Sequence, residues 1–467
     1  MPLTLLPILL PDLPRIHTLS LSADSDSPTA RVLFPHHASP TSVAHLTQQD
    51  ERDMQDPRST SRYVMVCDVP ADGAEGVGVG EVSGGRRGEV VSYAMWNFFV
   101  ESGEDGEGRD GGGAYYDEWP SDVNKEAVET LMASGKRMRE QVMGRGDYAL
   151  LATLCTSPKY RRQGAASQLV AWGLSLADAH YLPSYVESTP SGLSLYLKHG
   201  FQKVDTLEHD LRPWGSNHVK ENTILVRPPR APDPSIDSIM LSPILTNRDL
   251  ATFPIVEEKA FAPKPDPDQP GSEENPDAKP QTPSIFTLIM KDVDTNLHNP
   301  LTFRGDALIR NFVTDPTTHY IKAFIPRTNT IIGWIKYSLC LSPSAQQPLH
   351  VPWVTGSNTA LISTFFGGMD HAREEYFQGK PYLCVQTVVV LAEWQRKGVG
   401  KMMLEEVVRR VDKEGVEAWI DASREGKGLY EKFGWREIGE VKVDLGEWGG
   451  EKGRWERAVQ MVRGGRR

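Results

Sequence analysis

The chain has 467 residues, enough for two to three domains, each with a core of its own. Its hydrophobic share of 39% and charged share of 24% are globular values. A net charge of −11 and a pI near 5.6 argue against a general binder of nucleic acid or anionic membrane, and no run is long or apolar enough to span a bilayer.

Residues 1–10 are apolar but lack a basic start, carry Pro2 and Pro7, and run into Pro11 and Pro14. They read as a first strand leading to a helix, not as a signal peptide. Strands are expected at 63–68 and 89–99. The glycine-rich 76–85 between them fits neither G-x-G-x-x-G nor a P-loop and reads as a flexible loop. The acidic, glycine-rich 101–113 reads as disordered. A helix is expected at 125–143, with Val128, Leu131, Met132, Met138 and Val142 on its apolar side. A β-rich run follows at 148–156, and then a helix marked by Leu169, Trp172, Leu176 and His180. Residues 223–226 read as a closing strand. The proline-rich 228–234 reads as a linker.

The second half opens with a strand at 241–245 and a helix at 247–261. Residues 263–283, proline-rich and acidic, read as an unstructured insertion. Strands are expected at 320–326 and 330–339, a helix at 358–378, and a further β-rich run at 382–390. The helix after that run is marked by Leu404, Val407, Val408 and Val411. The expected division is one domain over 1–227, a linker over 228–239 and a second domain over 240–467. The four cysteines, Cys67, Cys155, Cys340 and Cys384, have no metal spacing, and two of them fall in expected core strands. They point to reduced thiols and an intracellular, cytoplasmic setting, with the nucleus also open. No metal site is expected.

One chemistry-bearing stretch occurs twice. The first copy has Arg161, Arg162, Gln163, Gly164, Ala165 and Ala166, a helix, Glu187, and then Leu195-Tyr196 shortly before Gly200-Phe201. The second has Gln395, Arg396, Lys397, Gly398, Val399 and Gly400, a helix, Asp421, and Leu429-Tyr430 before Gly434-Trp435. Aligning Arg161 with Gln395 brings every landmark into register without a gap, which means two copies of a domain. Gly164 and Gly398 sit where a strand turns into a helix. Free amides at a helix start attract anions, glycine admits a ligand close to the backbone, and Arg161, Arg162, Arg396 and Lys397 add positive charge. A pyrophosphate suits such a place.

Each copy resembles the GCN5-related N-acetyltransferase (GNAT) superfamily. Arg161-x-x-Gly164-x-Ala166 and Gln395-x-x-Gly398-x-Gly400 are similar to its acetyl-CoA signature, and Leu-Tyr-x-x-x-Gly-aromatic follows at the family's distance in both. The resemblance implies a mixed α/β fold, two tandem copies, each with a mostly antiparallel sheet. One parallel pair of strands would splay apart to admit the cofactor. It implies that Leu154, Cys155 and Thr156, and likewise Val388, Val389 and Val390, pair their backbone with the pantetheine arm. It implies a bulge in that strand that aims an amide at the thioester carbonyl. Tyr196 and Tyr430 fall where the family protonates the departing thiolate. Glu187 and Asp421, at the end of the next strand, are the candidate bases, with a water chain or a plain strand-end carboxylate as the alternatives. His199, which faces Phe433 in the second copy, reads as structural.

The implied activity is transfer of acetyl from acetyl-CoA to a small-molecule or peptide amine by direct attack in a ternary complex. The sequence leaves two alternatives open. Only one domain could be catalytic with the other a scaffold, or both could hold acyl-CoA without turnover. Acceptor identity and oligomeric state are not encoded legibly.

Overall fold

A computed structural model describes residues 3–23, 25–35, 39–69, 88–100, 119, 122–230, 239–261, 285–295, 299–326, 328–341 and 353–465. The segments 76–85, 101–113 and 263–283, read above as loops, lie outside the described residues.

The N-terminal half runs β1 (Leu3–Pro7), α1 (Leu13–Ala23), α2 (Pro28–Leu33), α3 (Pro40–Gln55), β2 (Ser61–Asp68), β3 (Glu89–Phe99), α4 (Lys125–Met143) and β4 (Tyr148–Thr156). It continues with α5 (Ala165–Ala179), β5 (Ser184–Ser188), α6 (Leu193–Lys198), β6 (Gln202–Asp210) and β7 (Val219–Arg227). The C-terminal half runs β8 (Met240–Pro243), α7 (Asn247–Phe261), α8 (Ile285–Ile289), α9 (Pro300–Thr314), β9 (Thr318–Ile325), β10 (Thr330–Cys340), α10 (Thr359–Phe377) and β11 (Tyr382–Val390). It closes with α11 (Val399–Glu414), β12 (Glu417–Ala422), α12 (Arg424–Glu431), β13 (Arg436–Asp444) and β14 (Trp455–Arg463). One constant shift sets Lys125 on Thr359, Tyr148 on Tyr382 and Gly200 on Gly434, so the repeat runs from α4 through β6 without a gap, and the closing strand of the second half, β14, starts two residues later than that shift would place it.

Each half forms a seven-stranded sheet, ordered β1-β2-β3-β4-β5-β7-β6 and β8-β9-β10-β11-β12-β14-β13. Every neighbouring pair is antiparallel except β4 with β5 and β11 with β12. Those two parallel pairs need a crossover, which α5 and α11 supply. Helix α5 packs Leu169, Val170 and Leu174 against Trp96, Phe98 and Leu151 on one face of the first sheet. A Cβ at Gly173 would stand 2.0 Å from the Trp96 ring, so glycine is what lets helix and sheet approach here. On the opposite face Ile16 and Met54 cover Met65 and Tyr93, while Met138 and Val142 of α4 cover Leu150, Tyr185 and Ile224. Met132, expected on the apolar side of α4, is instead exposed.

Helices α3 and α9 were not anticipated. Helix α3 buries a single apolar side chain, Met54, whereas α9 buries Ala307, Leu308, Ile309 and Val313, and each starts with a capping side chain followed by proline, Ser39-Pro40 and Asn299-Pro300. His180 also differs from expectation. It lies one residue beyond α5, stacks on Phe324 at 4.6 Å and shares a 3.1 Å hydrogen bond with Ser242 Oγ, so it joins the halves. Asn247 joins them too. Its Nδ2 donates to the carbonyls of Met54 (3.0 Å) and Asp56 (2.8 Å), and its Oδ1 accepts from buried Arg62 at 2.9 Å. Among the described residues, no helix is long and apolar enough to cross a membrane.

Candidate active site

The site in each half begins with a strand that parts from its neighbour. Parallel pairing of β4 with β5 covers Ala149 to Leu151 and then stops. At that point β4 bulges. Thr153 faces Met95 and Leu151 faces Trp96, which leaves Ala152 as the extra residue. In the second half, pairing of β11 with β12 ends at Val385, and Gln386 is the extra residue. Beyond each bulge, Leu154, Cys155 and Thr156, and equally Val388, Val389 and Val390, keep their partners on β3 or β10 and have no ladder on the other side. An unpaired strand edge inside a sheet offers a row of donors and acceptors to an extended ligand. The expected splay and bulge are thus present in both halves.

The strand leads into the glycine turn. Gly164 and Gly398 both have φ near +90°, and a Cβ at either would meet nothing within 4 Å. Arg162 and Arg396 are also left-handed, at φ of 65° and 60°. Glycine serves here because this backbone shape strains other residues. Neither α5 nor α11 has a side-chain cap at its start, so the first amides remain available to an anion. Arg161, Arg162, Gln163, Gly164, Gln395, Arg396, Lys397 and Gly398 are exposed or partly so, while Ala165 and Val399 are buried beneath them and Ala166 and Gly400 lie partly exposed. Arg161 reaches the Ala23 carbonyl at 3.1 Å, and Lys397 lies 4.9 Å from the Trp394 ring centre. Gln395 donates to the Val390 carbonyl at 3.1 Å, which takes up the last acceptor of that strand.

Tyr196 and Tyr430 sit on the short helices that follow. Each ring packs edge-on against the aromatic after the next glycine, Phe201 at 5.8 Å and Trp435 at 6.1 Å. Gly192 and Gly426 lie against the other side of the rings, where a Cβ would come within 3.2 and 3.0 Å. Neither hydroxyl has a hydrogen-bond partner among the described residues. Burial raises both phenols, Tyr196 to about 12 and Tyr430 further, so both stay protonated at neutral pH.

The two carboxylates differ. Glu187 lies just past the last residue of β5 paired with β4. Its Oε1 accepts from Arg139 Nη1 at 3.2 Å and from the Tyr185 hydroxyl at 3.3 Å. Asp421 holds the matching place on β12. Trp419 Nε1 donates to its Oδ2 at 2.9 Å, and its Oδ1 is buried without a partner among the described residues. Burial raises Asp421 to about 6, against weaker opposing pulls from the Trp419 bond and the Arg373 charge. That is a suitable value for a proton acceptor near neutral pH.

His199 shares a 2.8 Å hydrogen bond with Ser167, in the first turn of α5, an arrangement the second half lacks. Arg139 and Arg373 were not singled out from the sequence, although the constant shift sets one on the other. A second matched pair also went unread. Arg227 grips Asp178 at 2.7 and 2.9 Å, and Arg463 grips Asp412 at 2.8 and 3.1 Å. These pairs tie the closing strand to the motif helix. Among the described residues, no His, Cys, Asp or Glu cluster is suited to hold a metal ion.

Comparison with known proteins gives these elements a context. Residues 377–448 match the family model described as Acetyltransferase (GNAT) domain. No curated protein matches the chain in sequence. Similar solved structures include a histone acetyltransferase and related acetyltransferase from Corynebacterium glutamicum, at 19% identity, with a TM-score of 0.30 and coverage of 50% of this chain and 99% of the other. A phosphinothricin acetyltransferase from Sinorhizobium meliloti, solved with acetyl-CoA, is 14% identical with a TM-score of 0.29, covering 50% of this chain and 94% of its own. An N-acetyltransferase from Thermoplasma acidophilum, solved with coenzyme A, is 12% identical with a TM-score of 0.25, covering 49% and 99%. The C-terminal half carries a GNAT-family acetyltransferase domain, and the chain is built from two copies of that fold.

Proposed function

We propose that the protein transfers an acetyl group from acetyl-CoA to a primary amine by direct attack in a ternary complex. The observation that supports this most is the splay just past the bulges at Ala152 and Gln386, present in both halves. It offers an unpaired strand edge to an extended arm, next to a helix start that suits a pyrophosphate. In this reading the amine nitrogen attacks the thioester carbonyl carbon. The C–N bond forms and the C–S bond breaks. The amine proton passes to a carboxylate at the Asp421 or Glu187 position, and the departing thiolate takes a proton from Tyr430 or Tyr196. An amide presented at the bulge stabilises the developing oxyanion.

The test is an acetylation screen across spermidine, tyramine, free lysine and a peptide with an unblocked N-terminus, with free CoA and the mass of the amine as readouts. Amine-dependent CoA release with a matching acetylated product is expected. Binding of acetyl-CoA with no product from any amine class would instead favour a non-catalytic acyl-CoA sensor.

A further inference from the structure

We infer that the two clefts do different work: the C-terminal cleft carries turnover with Asp421 as proton acceptor, whereas Arg139 holds Glu187 as an ion pair and leaves the N-terminal cleft a slow, chiefly cofactor-holding site. This rests on the acetyltransferase reading above and adds a division of labour to it.

The constant shift sets Arg139 on Arg373, Tyr185 on Trp419 and Glu187 on Asp421, so the same three positions are compared. In the N-terminal half the three side chains converge, with Arg139 and Tyr185 both donating to Glu187 Oε1. Gly135 makes room for this. A Cβ there would stand 3.2 and 3.3 Å from the two carboxylate oxygens, so Glu187 lies flat against α4. The C-terminal helix has Met369 at that position. Lys220 on β7 adds a second cation that interacts with Glu187, whereas β14 has Glu456 in the equivalent place. Glu187 therefore faces Arg139, Lys220 and the Tyr185 hydroxyl.

In the C-terminal half the arginine is turned elsewhere. Arg373 pairs with Asp370, one turn before it on α10, and its Nη1 lies 3.9 Å from Cys384 Sγ. The residue matching Asp370 is Lys136, so Arg139 has no acid at that spacing. Asp421 is also one methylene shorter than Glu187. It faces Trp419, Cys384, Arg373 and Asp370, and its Oδ1 makes no bond among the described residues. A carboxylate with a free, desolvated oxygen can accept a proton without giving up a partner. Glu187 differs, because its Oε1 is already held by Arg139 and Tyr185 in a half-buried ion pair. Arg139 is thus a positioning residue that acts through Glu187.

The chemical step balances within the C-terminal cleft. The C–N bond forms as the amine proton moves to Asp421, and the C–S bond breaks as Tyr430 protonates the thiolate. The test uses the full chain with acetyl-CoA and the same four amines. Gly398→Glu is expected to bind one equivalent of acetyl-CoA and to lose turnover about 100-fold. Asp421→Asn is expected to keep both cofactor equivalents, lose turnover about 100-fold, and lose the rising limb of the pH–rate profile near 6. Arg139→Met added to Gly398→Glu frees Glu187 and is expected to raise the residual turnover several-fold, whereas removal of a merely structural arginine would lower it. Retention of half or more of the turnover in Gly398→Glu or in Asp421→Asn overturns the inference. Absence of acetyl-CoA binding, or of CoA release with every amine, in the parent protein overturns the acetyltransferase reading and this inference with it.

Discussion

Asp421→Asn has a consequence for stability that can be measured without knowing the acceptor. Burial raises the Asp421 carboxyl from 3.8 to about 6, so between those pH values the folded chain binds a proton that the unfolded chain has released. Stability conferred at low pH is therefore lost as pH rises from about 4 to 6, and the full cost is present above about 7. A carboxyl held that far above its unfolded value costs about 3 kcal/mol at neutral pH, of which about 1 kcal/mol is already present at pH 4.5. Asparagine has no charge to desolvate, and its oxygen can still accept from Trp419. Its amide nitrogen would be buried without a partner, which costs about 1–3 kcal/mol at every pH. The pH-independent cost cancels when the same variant is compared at two pH values. Urea unfolding of parent and variant at pH 4.5 and 8, followed by tryptophan fluorescence, should show the variant gaining about 2 kcal/mol on the parent across that interval. A difference that stays constant would refute the idea that this carboxylate is held desolvated.

Arg463→Met should destabilise the C-terminal half by roughly 2–3 kcal/mol in chemical denaturation, because it removes the two bonds to Asp412 and the bond to the Phe433 carbonyl at a site where the arginine is only 6% exposed. Asn247→Ala removes three side-chain bonds between the halves, and calorimetry should show a single transition separating into two as they uncouple. Tyr430→Phe should lower turnover about 10- to 100-fold with little change in acetyl-CoA affinity, since the phenol matters only as the thiolate leaves.

Much of the fold was legible because the repeat carries its own internal check. The boundaries 125–143, 148–156 and 247–261 coincide with α4, β4 and α7, where amphipathic spacing or a β-rich run stops at glycine, proline or a charged residue. The glycine turns and both tyrosines could be read for the same reason. The bulges at Ala152 and Gln386 could not be located. Both strands are apolar on both faces up to that point, so one extra residue leaves no break in the pattern. The shared contacts of Arg62, Asn247, His180 and Phe324 were hidden because each residue's partner lies in the other half of the chain. Arg139 was overlooked for a different reason. It sits on the polar side of an expected helix, where a solvated charge is the ordinary case, and only its match to Arg373 sets it apart.

Two cofactor clefts per chain are most directly tested by calorimetric titration with acetyl-CoA. The parent protein should bind two equivalents, and Gly164→Glu and Gly398→Glu should each bind one. Each glutamate places a negative charge at an exposed helix start with open space around it. Gly164→Ala and Gly398→Ala carry the same left-handed strain, roughly 1–2 kcal/mol, without the charge, and so separate electrostatic exclusion from backbone distortion. Two equivalents bound by both glutamate variants as tightly as by the parent, or none bound by the parent, would contradict the placement of the cofactor at these turns.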